Sequence, residues 1–380
     1  MLDKATFPRD KCCGDGLTTL ALRELEGLGF DPGRITDWQP VDGAWLRSPS
    51  GREVVVPLPA GCGSFAAVAP RRQLDAELVE LARRGGVDML DGASFDGALD
   101  VRPDSVTVGG GGRTVTARYV VGADGMWSPV RKAAGLGERG YLGEWHAFRQ
   151  YVDGVTGPAA DRLYVWFDAD LLPGYAWSFP LPGGRANLGF GLLRDGTRHI
   201  GDTSELWAGL ADRPHVRRAL GDGAVVAGRP SAWPIPARID RVPLAAGRVV
   251  LVGDAAAASD VMTGEGIGQA LLTGRLAAEA IASAGATRPD LAARRYRADV
   301  RHHLRADHRM SAALGAVLAH ERGARGAMRV LAASGERGRR NFARWMFEDE
   351  PRAIALTPGR WHRRVLARPG AWLDRAVPSA

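Results

Sequence analysis

The stretch VVLVGDAAAASDVMTGEGIGQALL, residues 249–272, joins an apolar run to a glycine-rich loop and then to a helical pattern. The run from Arg248 to Val252 contains four consecutive apolar residues, which is typical of a fully buried strand in a parallel sheet. After Gly264-Glu265-Gly266, a helical pattern begins and continues to Ala284. This succession of strand, loop and helix predicts an α/β fold.

The same arrangement occurs twice in the chain, as VVGADG at residues 120–125 and as VLVGDA at residues 250–255. In open parallel sheets, ligands bind at the carboxyl ends of strands, where the short acids Asp124 and Asp254 could reach a ribose or ribityl hydroxyl. One such copy alone would more simply be an aspartate turn or a helix cap. Two copies predict one nucleotide site.

The loop Thr263-Gly264-Glu265-Gly266-Ile267 leads directly into the long predicted helix. The first turn of a helix carries unpaired N–H groups and positive dipole, and glycines keep side-chain bulk away from them. Such a terminus could receive the carbonyl edge of a flavin ring and stabilise its anionic reduced form. Close packing of the loop on the helix is the alternative explanation of the glycines.

The composition is that of an ordinary globular protein, with 380 residues, 45% hydrophobic and 24% charged. It excludes a disordered chain, a collagen-like repeat and a disulfide scaffold, and the length suggests two or three structural units. Three cysteines, Cys12, Cys13 and Cys62, favour free thiols in a reducing compartment. With no membrane-spanning apolar run and no signal-peptide core, the sequence predicts a cytoplasmic protein.

The formal net charge of +7 is concentrated in one region. Residues 291–380 contain 19 arginines against 8 acidic residues, so the rest of the chain is slightly acidic. We attribute the arginine excess to a GC-rich genome, and we predict neither a nucleic-acid partner nor a metal site. Trp361 and Trp372 lie among the basic side chains of residues 360–375 and suit a peripheral membrane contact, but a solvated helix end or tail is the favoured interpretation.

Periodicity and turn residues predict the remaining elements. Residues 145–236 are rich in aromatic residues, glycine and proline and indicate a mostly antiparallel sheet, whereas the Ala-, Leu- and Arg-rich remainder to about residue 345 is predicted to be helical. The shorter predicted elements are a helix from Leu17 closed by Gly29, strands at 44–47 and 52–56, a helix from Arg71 to Arg84, a hairpin turn at 109–112, and a strand at 118–121.

Four segments together resemble the geranylgeranyl reductase family of flavoproteins, within the group that shares the p-hydroxybenzoate hydroxylase fold. The resemblance covers residues 1 to about 300 and is most specific in Tyr175-Ala-Trp177-Ser-Phe179-Pro180, followed after eight residues by Gly189-Phe-Gly191, which matches the family's YxWxFP(x8)GxG signature. The other three segments are FPRDKCCGDGL from Phe7, GADGMWSPVR from Gly122, and GDAAAASDVMTGEGIGQALLTGRLAA from Gly253.

The resemblance implies a role for individual residues. Tyr175, Trp177 and Phe179 would wall the substrate cavity. Cys13 would lie near the flavin ring, where a thiol could tune the flavin or donate a proton; a small buried residue is the equally open alternative. The residues that would contact FAD are Asp3, Arg9, Arg71, Asp124, Gly253, Asp254, Gly264, Glu265, Gly266 and Ile267.

The sequence departs from the family pattern in two places. Val261 stands where the family usually has proline. The family also opens with a strand, a GxGxxG turn and a helix, whereas this sequence begins with Met1-Leu2-Asp3, which matches the end of the family's second strand, and it contains no GxGxxG. We expect a misplaced start codon rather than a natural truncation, and a truly truncated chain would bind FAD poorly.

The sequence thus predicts an α/β fold in which a doubly wound FAD-binding domain, lacking its first βα unit, is interleaved with an antiparallel-sheet substrate domain and followed by a helical C-terminus. The predicted boundaries are 1–43, 66–142 and 237–286 for the first domain, 44–65 and 143–236 for the second, and 287–380 for the third.

The resemblance implies that FAD passes hydride from NAD(P)H to a carbon–carbon double bond of a prenyl chain, such as a geranylgeranyl group or a quinone side chain. Two alternatives stay open. A flavin-dependent monooxygenase or halogenase would share the DG and GD motifs, although no lysine lies between Lys11 and Lys132, where a halogenase would have its catalytic one. A non-catalytic remnant or a prenyl-lipid binder would retain the same motifs.

Overall fold

The computed structural model of the chain describes residues 1–194 and 202–373. In these ranges the strands are β1 (Gly16–Leu17), β2 (Gln39–Pro40), β3 (Gly43–Arg47), β4 (Glu53–Pro57), β5 (Ala67–Val68), β6 (Phe95–Val101), β7 (Val106–Gly110), β8 (Arg113–Ala117), β9 (Val120–Gly122), β10 (Trp145–Asp153), β11 (Leu163–Trp166), β12 (Gly174–Leu181), β13 (Arg185–Leu193), β14 (Val225–Ile235), β15 (Ala245–Ala246) and β16 (Val249–Leu251).

The α-helices over the same residues include those predicted up to residue 345 and three further helices, between residues 129 and 220, that were not predicted. In chain order the α-helices are α1 (Thr19–Gly27), α2 (Arg71–Arg84), α3 (Pro129–Ala133), α4 (Asp202–Leu210), α5 (Pro214–Leu220), α6 (Ile267–Ala284), α7 (Pro289–Val300), α8 (Ala306–Leu318), α9 (Glu321–Ala333) and α10 (Gly335–Met346). A π-helical turn, Arg301–Arg305, joins α7 to α8.

Strand β16, which precedes the Gly253-Asp254 turn, lies in a small sheet of order β15-β16-β9, in which β16 runs parallel to β9. All three residues of β16 are buried, as a strand covered on both faces requires. Helices α6 and α7 cover it with apolar side chains, and the Tyr296 hydroxyl of α7 donates to the Leu251 carbonyl at 2.7 Å. The two Gly-Asp turns therefore leave the same edge of one parallel pair, as the sequence predicts.

A seven-stranded sheet of order β14-β10-β13-β12-β11-β3-β4 forms the second layer. Its neighbours are antiparallel except for β3 and β11, so the predicted antiparallel character is confirmed. Helices α4 and α5 interrupt the segment that was predicted to be mostly sheet, and residues 195–201 of that segment lie outside the described residues. Helix α5 begins at Pro214 and buries Val216, Ala219 and Leu220.

The predicted hairpin turn is also confirmed. Strands β6, β7 and β8 form a three-stranded antiparallel sheet, and the connection between β7 and β8 is made by Gly111 and Gly112. Their φ angles of 58° and 72° are in the left-handed region, which glycine adopts without steric cost. The glycine run therefore forms a turn between strands.

The C-terminal helices pack against the seven-stranded sheet, where Met328 and Leu331 of α9 and Phe347 share one apolar cluster with Val54 and Val56 of β4. Beyond α10 the chain returns to the N-terminal part: Ala371 forms a bridge with Ser64, and Trp372 packs edge-on against Trp38 at 5.9 Å. In the described ranges, no helix is both long enough and apolar enough to cross a bilayer.

One residue of the membrane contact suggested by the sequence is buried. Trp372 is only 5% exposed because it completes the core beside Trp38, so it cannot contact a headgroup. Arg360 is also engaged, in a two-point ion pair with Asp307 at 2.9 and 3.0 Å. Trp361 is 60% exposed, as the prediction requires. Arg375 lies outside the described residues.

Candidate active site

A cavity of about 700 Å³ lies between the Gly-Asp turn after β16 and the face of the seven-stranded sheet. Most of the site residues singled out in the sequence line it together, although they come from separate segments of the chain. They are Arg9, Cys13, Arg71, Tyr175, Trp177, Phe179, Gly253, Asp254, Gly264, Glu265, Gly266 and Ile267. The cavity is therefore the candidate active site.

Asp254 is presented to the cavity by the sharp turn that follows β16. Gly253 takes φ 56°, and the Thr273 hydroxyl of α6 receives a hydrogen bond from its N–H at 3.0 Å. The Asp254 carboxylate accepts from the Ser259 hydroxyl at 3.3 Å and lies 3.6 Å from the Lys11 ammonium. Lys11 was not singled out from the sequence, and it gives this edge of the cavity one positive and one negative group.

The loop before α6 is held open by hydrogen bonds to its backbone. The Asp260 carboxylate accepts the N–H groups of Met262 and Thr263 at 3.0 and 2.9 Å. The Trp145 indole donates to the Val261 carbonyl at 2.8 Å, and the Tyr175 hydroxyl donates to the Thr263 carbonyl. These contacts maintain the loop conformation although Val261 replaces the usual proline.

The glycines of this loop leave a cradle that side chains would fill. Gly264 has φ 71°, and a Cβ on Gly266 would lie 2.7 Å from the Ser259 Oγ. Helix α6 begins at Ile267 with no side-chain cap, so its first N–H groups and its positive dipole end face the cavity. The cradle is open and lined by backbone, as a planar flavin ring would require; the contacts of Asp254 with the ribityl chain and of Gly264–Ile267 with the ring stay predictions.

Arg9 and Arg71, both predicted to be near FAD, converge on one carboxylate. Asp75 accepts from Arg9 at 2.7 Å and from Arg71 at 2.7 and 2.9 Å. Burial by itself lowers the pKa of Arg71, but Asp75 and Cys13 beside it have the larger, opposite effect. The pKa is therefore above its ordinary value, and the guanidinium stays charged. A phosphate group here would therefore bind next to a charged pair of arginines that share one counterion.

Asp3 and Asp124 do not line the cavity. Asp3 accepts a hydrogen bond from the Ala5 N–H at 2.8 Å. The Asp124 carboxylate accepts from the Ser128 hydroxyl and from the Val130 N–H, at 2.9 Å for the latter, and so stabilises the start of α3. Their proposed contacts with FAD stay predictions, and the observed role of Asp124 is that of a helix cap.

Cys13 lies in the cavity wall with its sulfur 3.3 Å from the Asp15 N–H. Burial raises the pKa of the Cys13 thiol, and the nearby Arg71 lowers it by less. The thiol is therefore protonated at neutral pH. This state is compatible with both sequence-based interpretations, a proton donor and a small buried residue.

Asp15 was missed by the sequence analysis although it organises this wall. It is fully buried and accepts hydrogen bonds from the Tyr151 hydroxyl and the Asn187 amide, both at 2.8 Å, and from the Arg71 N–H at 3.2 Å. Burial raises its pKa to about 6. A signal was present in the sequence, since an aspartate between Gly14 and Gly16 suits the left-handed φ of 63° observed there.

The aromatic signature and its two glycines are paired across strands. Tyr175 lies opposite Gly191, and Trp177 lies opposite Gly189, in the register of β12 and β13. A Cβ on Gly189 would come within 2.3 Å of the Trp177 ring. The two glycines therefore leave room for the aromatic rings on the neighbouring strand. This explains why the aromatic half and the glycine half of the signature occur together.

A cluster of carboxylates lies on the side of the cavity nearest the C-terminal segment. Asp260 and Glu265 come from the loop before α6, whereas Glu348 and Arg352 follow α10. Glu348 accepts from Gln269 at 2.7 Å and from Thr18 at 2.8 Å. Arg352 lies 3.8 Å from Glu348 and 4.0 Å from Asp260. The sequence analysis found neither Glu348 nor Arg352.

The rest of the cavity is apolar and is formed largely by the C-terminal helices. Val317 lines the cavity and is also 55% exposed, which places an opening at the end of α8. The apolar side chains that extend inward from this opening are Leu314, Leu318, Ala324, Met328, Leu331, Phe342 and Met346.

Comparison with known proteins agrees with this geometry. Residues 50–170 match the family model described as FAD binding domain. The chain is 34% identical to the menaquinone reductase of Mycobacterium tuberculosis over 337 residues, covering 78% of this chain and 74% of that protein. It is 31% identical to the digeranylgeranylglycerophospholipid reductase 2 of Methanopyrus kandleri over 287 residues, covering 74% and 69%.

A solved structure has the same fold: a geranylgeranyl bacteriochlorophyll reductase-like protein from Thermoplasma acidophilum superposes with a TM-score of 0.75 at 19% identity, covering 94% of this chain and 92% of that one. The predicted α/β FAD-binding fold with antiparallel sheet and C-terminal helices is confirmed. Since relatives over 30% identical are matched along more than two thirds of their length, the chain belongs to the geranylgeranyl reductase family of FAD-dependent oxidoreductases.

Proposed function

We propose that this protein reduces carbon–carbon double bonds in the prenyl chain of a lipid or quinone, with NAD(P)H as the source of electrons. The observation that carries the proposal is the continuity of one cavity from the Asp254 and Gly264–Ile267 cradle to the apolar wall of the C-terminal helices. The relatives named as menaquinone reductase and digeranylgeranylglycerophospholipid reductase support it. Reduced FAD would supply a hydride to the double bond.

The residues of the chain position the reactants and exclude water. Asp254 would hold the ribityl chain, and the first N–H groups of α6 would favour negative charge on the flavin ring. Trp177 and Tyr175 would flank the flat region of a double bond of the prenyl chain, while Leu318 and Met328 would accommodate its remainder. An apolar wall suits a substrate that has no hydrogen-bonding groups along its length.

The oxygen-using alternatives find less support in the cavity. All three lysines lie in the described part of the chain, and of these only Lys11 lines the cavity, where it lies beside Asp254. A lysine so close to the proposed ribityl site is poorly placed for halogenation chemistry at the substrate. Flavin bleaching under anaerobic conditions by NADPH and by NADH, measured separately, identifies the reductant.

Blocking the apolar branch tests the proposed substrate. Gly315 lies in α8 on the cavity wall, and a Cβ there would meet only Met262, at 3.9 Å. We expect Gly315→Phe to project its ring into the branch and to reduce turnover of a geranylgeranyl substrate at least about tenfold, a loss of about 1.4 kcal/mol in transition-state binding, while a short prenyl analogue is reduced at the normal rate.

Gly315→Ala is the matched control. It adds only the Cβ that the site accommodates, and in a helix interior it is expected to stabilise the protein by about 0.4–1 kcal/mol without changing chain-length preference. If Gly315→Phe reduces long and short substrates equally well, the prenyl chain does not occupy this branch. Binding without reduction by the unmodified protein would favour the lipid-binder alternative.

We also propose that the protein takes its substrate at a membrane surface through the region around the opening. Val317 at the opening is 55% exposed, and Val330 of α9 is 72% exposed. Arg322 and Arg329 lie one heptad apart on exposed positions of α9, so they share one side of the helix. Apolar side chains next to arginines suit an anionic headgroup layer.

Removing the two α9 arginines tests this membrane contact. Because each basic residue near an anionic surface contributes about 1 kcal/mol, Arg322→Gln with Arg329→Gln is expected to weaken binding to phosphatidylglycerol-containing vesicles about 30-fold in a sedimentation assay. The double variant Arg113→Gln and Arg139→Gln removes the same charge from exposed positions elsewhere. Equal weakening in both double variants would mean that only net charge matters, and this surface would then have no specific role.

A further inference from the structure

We propose that Glu265 donates the proton that completes reduction of the double bond, and that Glu348 and Arg352 position it as a neutral acid at the cavity wall. This inference rests on the proposed prenyl reduction. The double bond receives hydride at one carbon, and the O–H bond of Glu265 breaks as its proton goes to the neighbouring carbon. The O–H electron pair stays on Glu265 as a carboxylate, which water then protonates again.

The position of Glu265 is the first argument. It stands between Gly264 and Gly266 in the loop that would lie beside the flavin ring, and it lines the cavity. Its Oε1 atom is buried and has no hydrogen-bond partner among residues 1–194 and 202–373. A buried oxygen without a partner is costly unless it is protonated or meets a ligand. Protonation and contact with a ligand are both expected of an acid that donates its proton to a bound substrate.

The charge balance of the cluster is the second argument. Asp260, Glu265 and Glu348 are three carboxylates that share the single guanidinium of Arg352. Like charges this close cannot all ionise, so at least one carboxyl of the cluster keeps a proton. The groups that face Glu265 from other elements, Tyr175 of β12 and Cys13 of the N-terminal loop, are neutral or weakly acidic and add no positive charge.

Hydrogen bonding decides which carboxyl keeps the proton. Asp260 accepts from the Met262 and Thr263 N–H groups, from the Thr263 hydroxyl, and from Ser311 at 2.6 Å. Glu348 accepts from Gln269 and Thr18. In the part of the chain that the structure describes, Glu265 has the fewest donors: the Ile267 N–H faces its carboxyl group, and its Oε1 atom has no partner. Donors stabilise the ionised form, so the proton stays on Glu265.

The electrostatic surroundings agree with this assignment. Burial, followed by the Glu348 carboxylate, raises the pKa of Glu265 to about 8. A catalytic acid works best when its pKa lies near the working pH, because it is then largely protonated and still acidic enough to release its proton. Glu348 and Arg352 come from the segment after α10, so the C-terminal region helps to set this pKa.

Two measurements test Glu265, and the first needs neither cofactor nor substrate. Because its pKa in the folded protein is above the value of about 4.3 in the unfolded chain, the folded state binds the extra proton between these pH values. The stability that this group contributes is present at low pH and is lost as pH rises through about 8. Glu265→Gln cannot ionise, so its melting temperature minus that of the parent protein is expected to increase from pH 5 to pH 8.5.

The second measurement is a single turnover of prereduced protein with a prenyl substrate, followed by reoxidation of the flavin across the pH range. We expect Glu265→Gln to be slower by about 10²–10⁴-fold and to lose the fall in rate above about pH 8, and we expect Glu265→Asp to recover part of the rate. Glu348→Gln, a change in a positioning residue, should shift that fall to lower pH, because it removes a negative neighbour of Glu265.

Glu279→Gln is the matched control, since Glu279 lies on α6, the helix that follows the Glu265 loop, with a side chain that is 58% exposed, and no change is expected. A melting difference that does not vary with pH, or a Glu265→Gln rate within threefold of the parent, would overturn the proposal. So would loss of the pH-dependent fall in Cys13→Ser with Glu265 intact. If the parent protein reduces no prenyl substrate, the proposed function fails, and the melting measurement still decides whether Glu265 carries the proton.

Discussion

Replacing Arg352 by methionine is expected to lower the free energy of unfolding by about 3–5 kcal/mol near pH 8, the cost of removing one partner from a buried charge cluster. The Arg352 side chain is 3% exposed, and its Nη1 donates to the carbonyls of Trp345 and Met346 at 2.8 and 3.0 Å. Methionine fills much of the same volume, so the loss would reflect charge and hydrogen bonding rather than a cavity.

The sign of the pH dependence follows from the same contacts. Arg352 lowers the pKa values of both Glu348 and Glu265, so its removal raises them. A carboxyl whose pKa is higher in the folded than in the unfolded state stabilises the fold at low pH and loses that contribution as pH rises. The destabilisation by Arg352→Met should therefore be smaller at pH 5 than at pH 8, as urea unfolding at both values would show.

Arg340→Met is the control for this prediction. Arg340 forms an exposed pair with Glu336 at 2.7 Å in α10, and such pairs contribute about 0.3–0.5 kcal/mol. Adding Glu348→Gln to Arg352→Met should restore part of the lost stability, because it removes a carboxylate that no longer has a counterion. A loss that is equal at both pH values would show that Arg352 acts through its backbone hydrogen bonds and not through the carboxylates.

Gly189→Ala is expected to destabilise the protein by about 1–3 kcal/mol, the usual cost of forcing an extra carbon into a packed core. The new Cβ would lie 2.3 Å from the Trp177 ring and 2.5 Å from the Phe148 carbonyl oxygen. The ring can move only by narrowing the cavity, and the carbonyl belongs to β10, which pairs with β13 along its length. We therefore expect a shifted tryptophan fluorescence spectrum together with a lower urea midpoint.

Gly274→Ala provides a control of opposite sign. Gly274 lies inside α6, no atom lies within 4 Å of its added Cβ, and alanine favours the helix by about 0.4–1 kcal/mol. Combining Trp177→Leu with Gly189→Ala should cost less than the sum of the two single changes, because the leucine relieves one of the two clashes. Strictly additive costs would contradict the inference that Gly189 provides the space that the Trp177 ring occupies.

The local elements were predictable because each depends on neighbours in the chain. The helix from Arg71 to Arg84 and the helix that begins at Ile267 agree with their predicted boundaries, since their apolar period and their terminal glycines lie within the segments themselves. The Gly-Asp turns and the aromatic signature were found for the same reason. Trp372 was placed wrongly because nothing in its own segment shows that Trp38, far away in sequence, would bury it.

The sequence by itself thus determined most of the strands and helices, the two turns that lead to Asp124 and Asp254, and the glycine loop and aromatic strand that line the cavity, all of which are written in short spans. Only the tertiary structure decided that Asp75 would bind both arginines, that Asp15 would collect three donors, and that Glu348 and Arg352 would come together with Glu265. The physical reason is that burial and charge pairing act through space between residues distant in the chain. A carboxylate's protonation therefore depends on partners that no local pattern specifies.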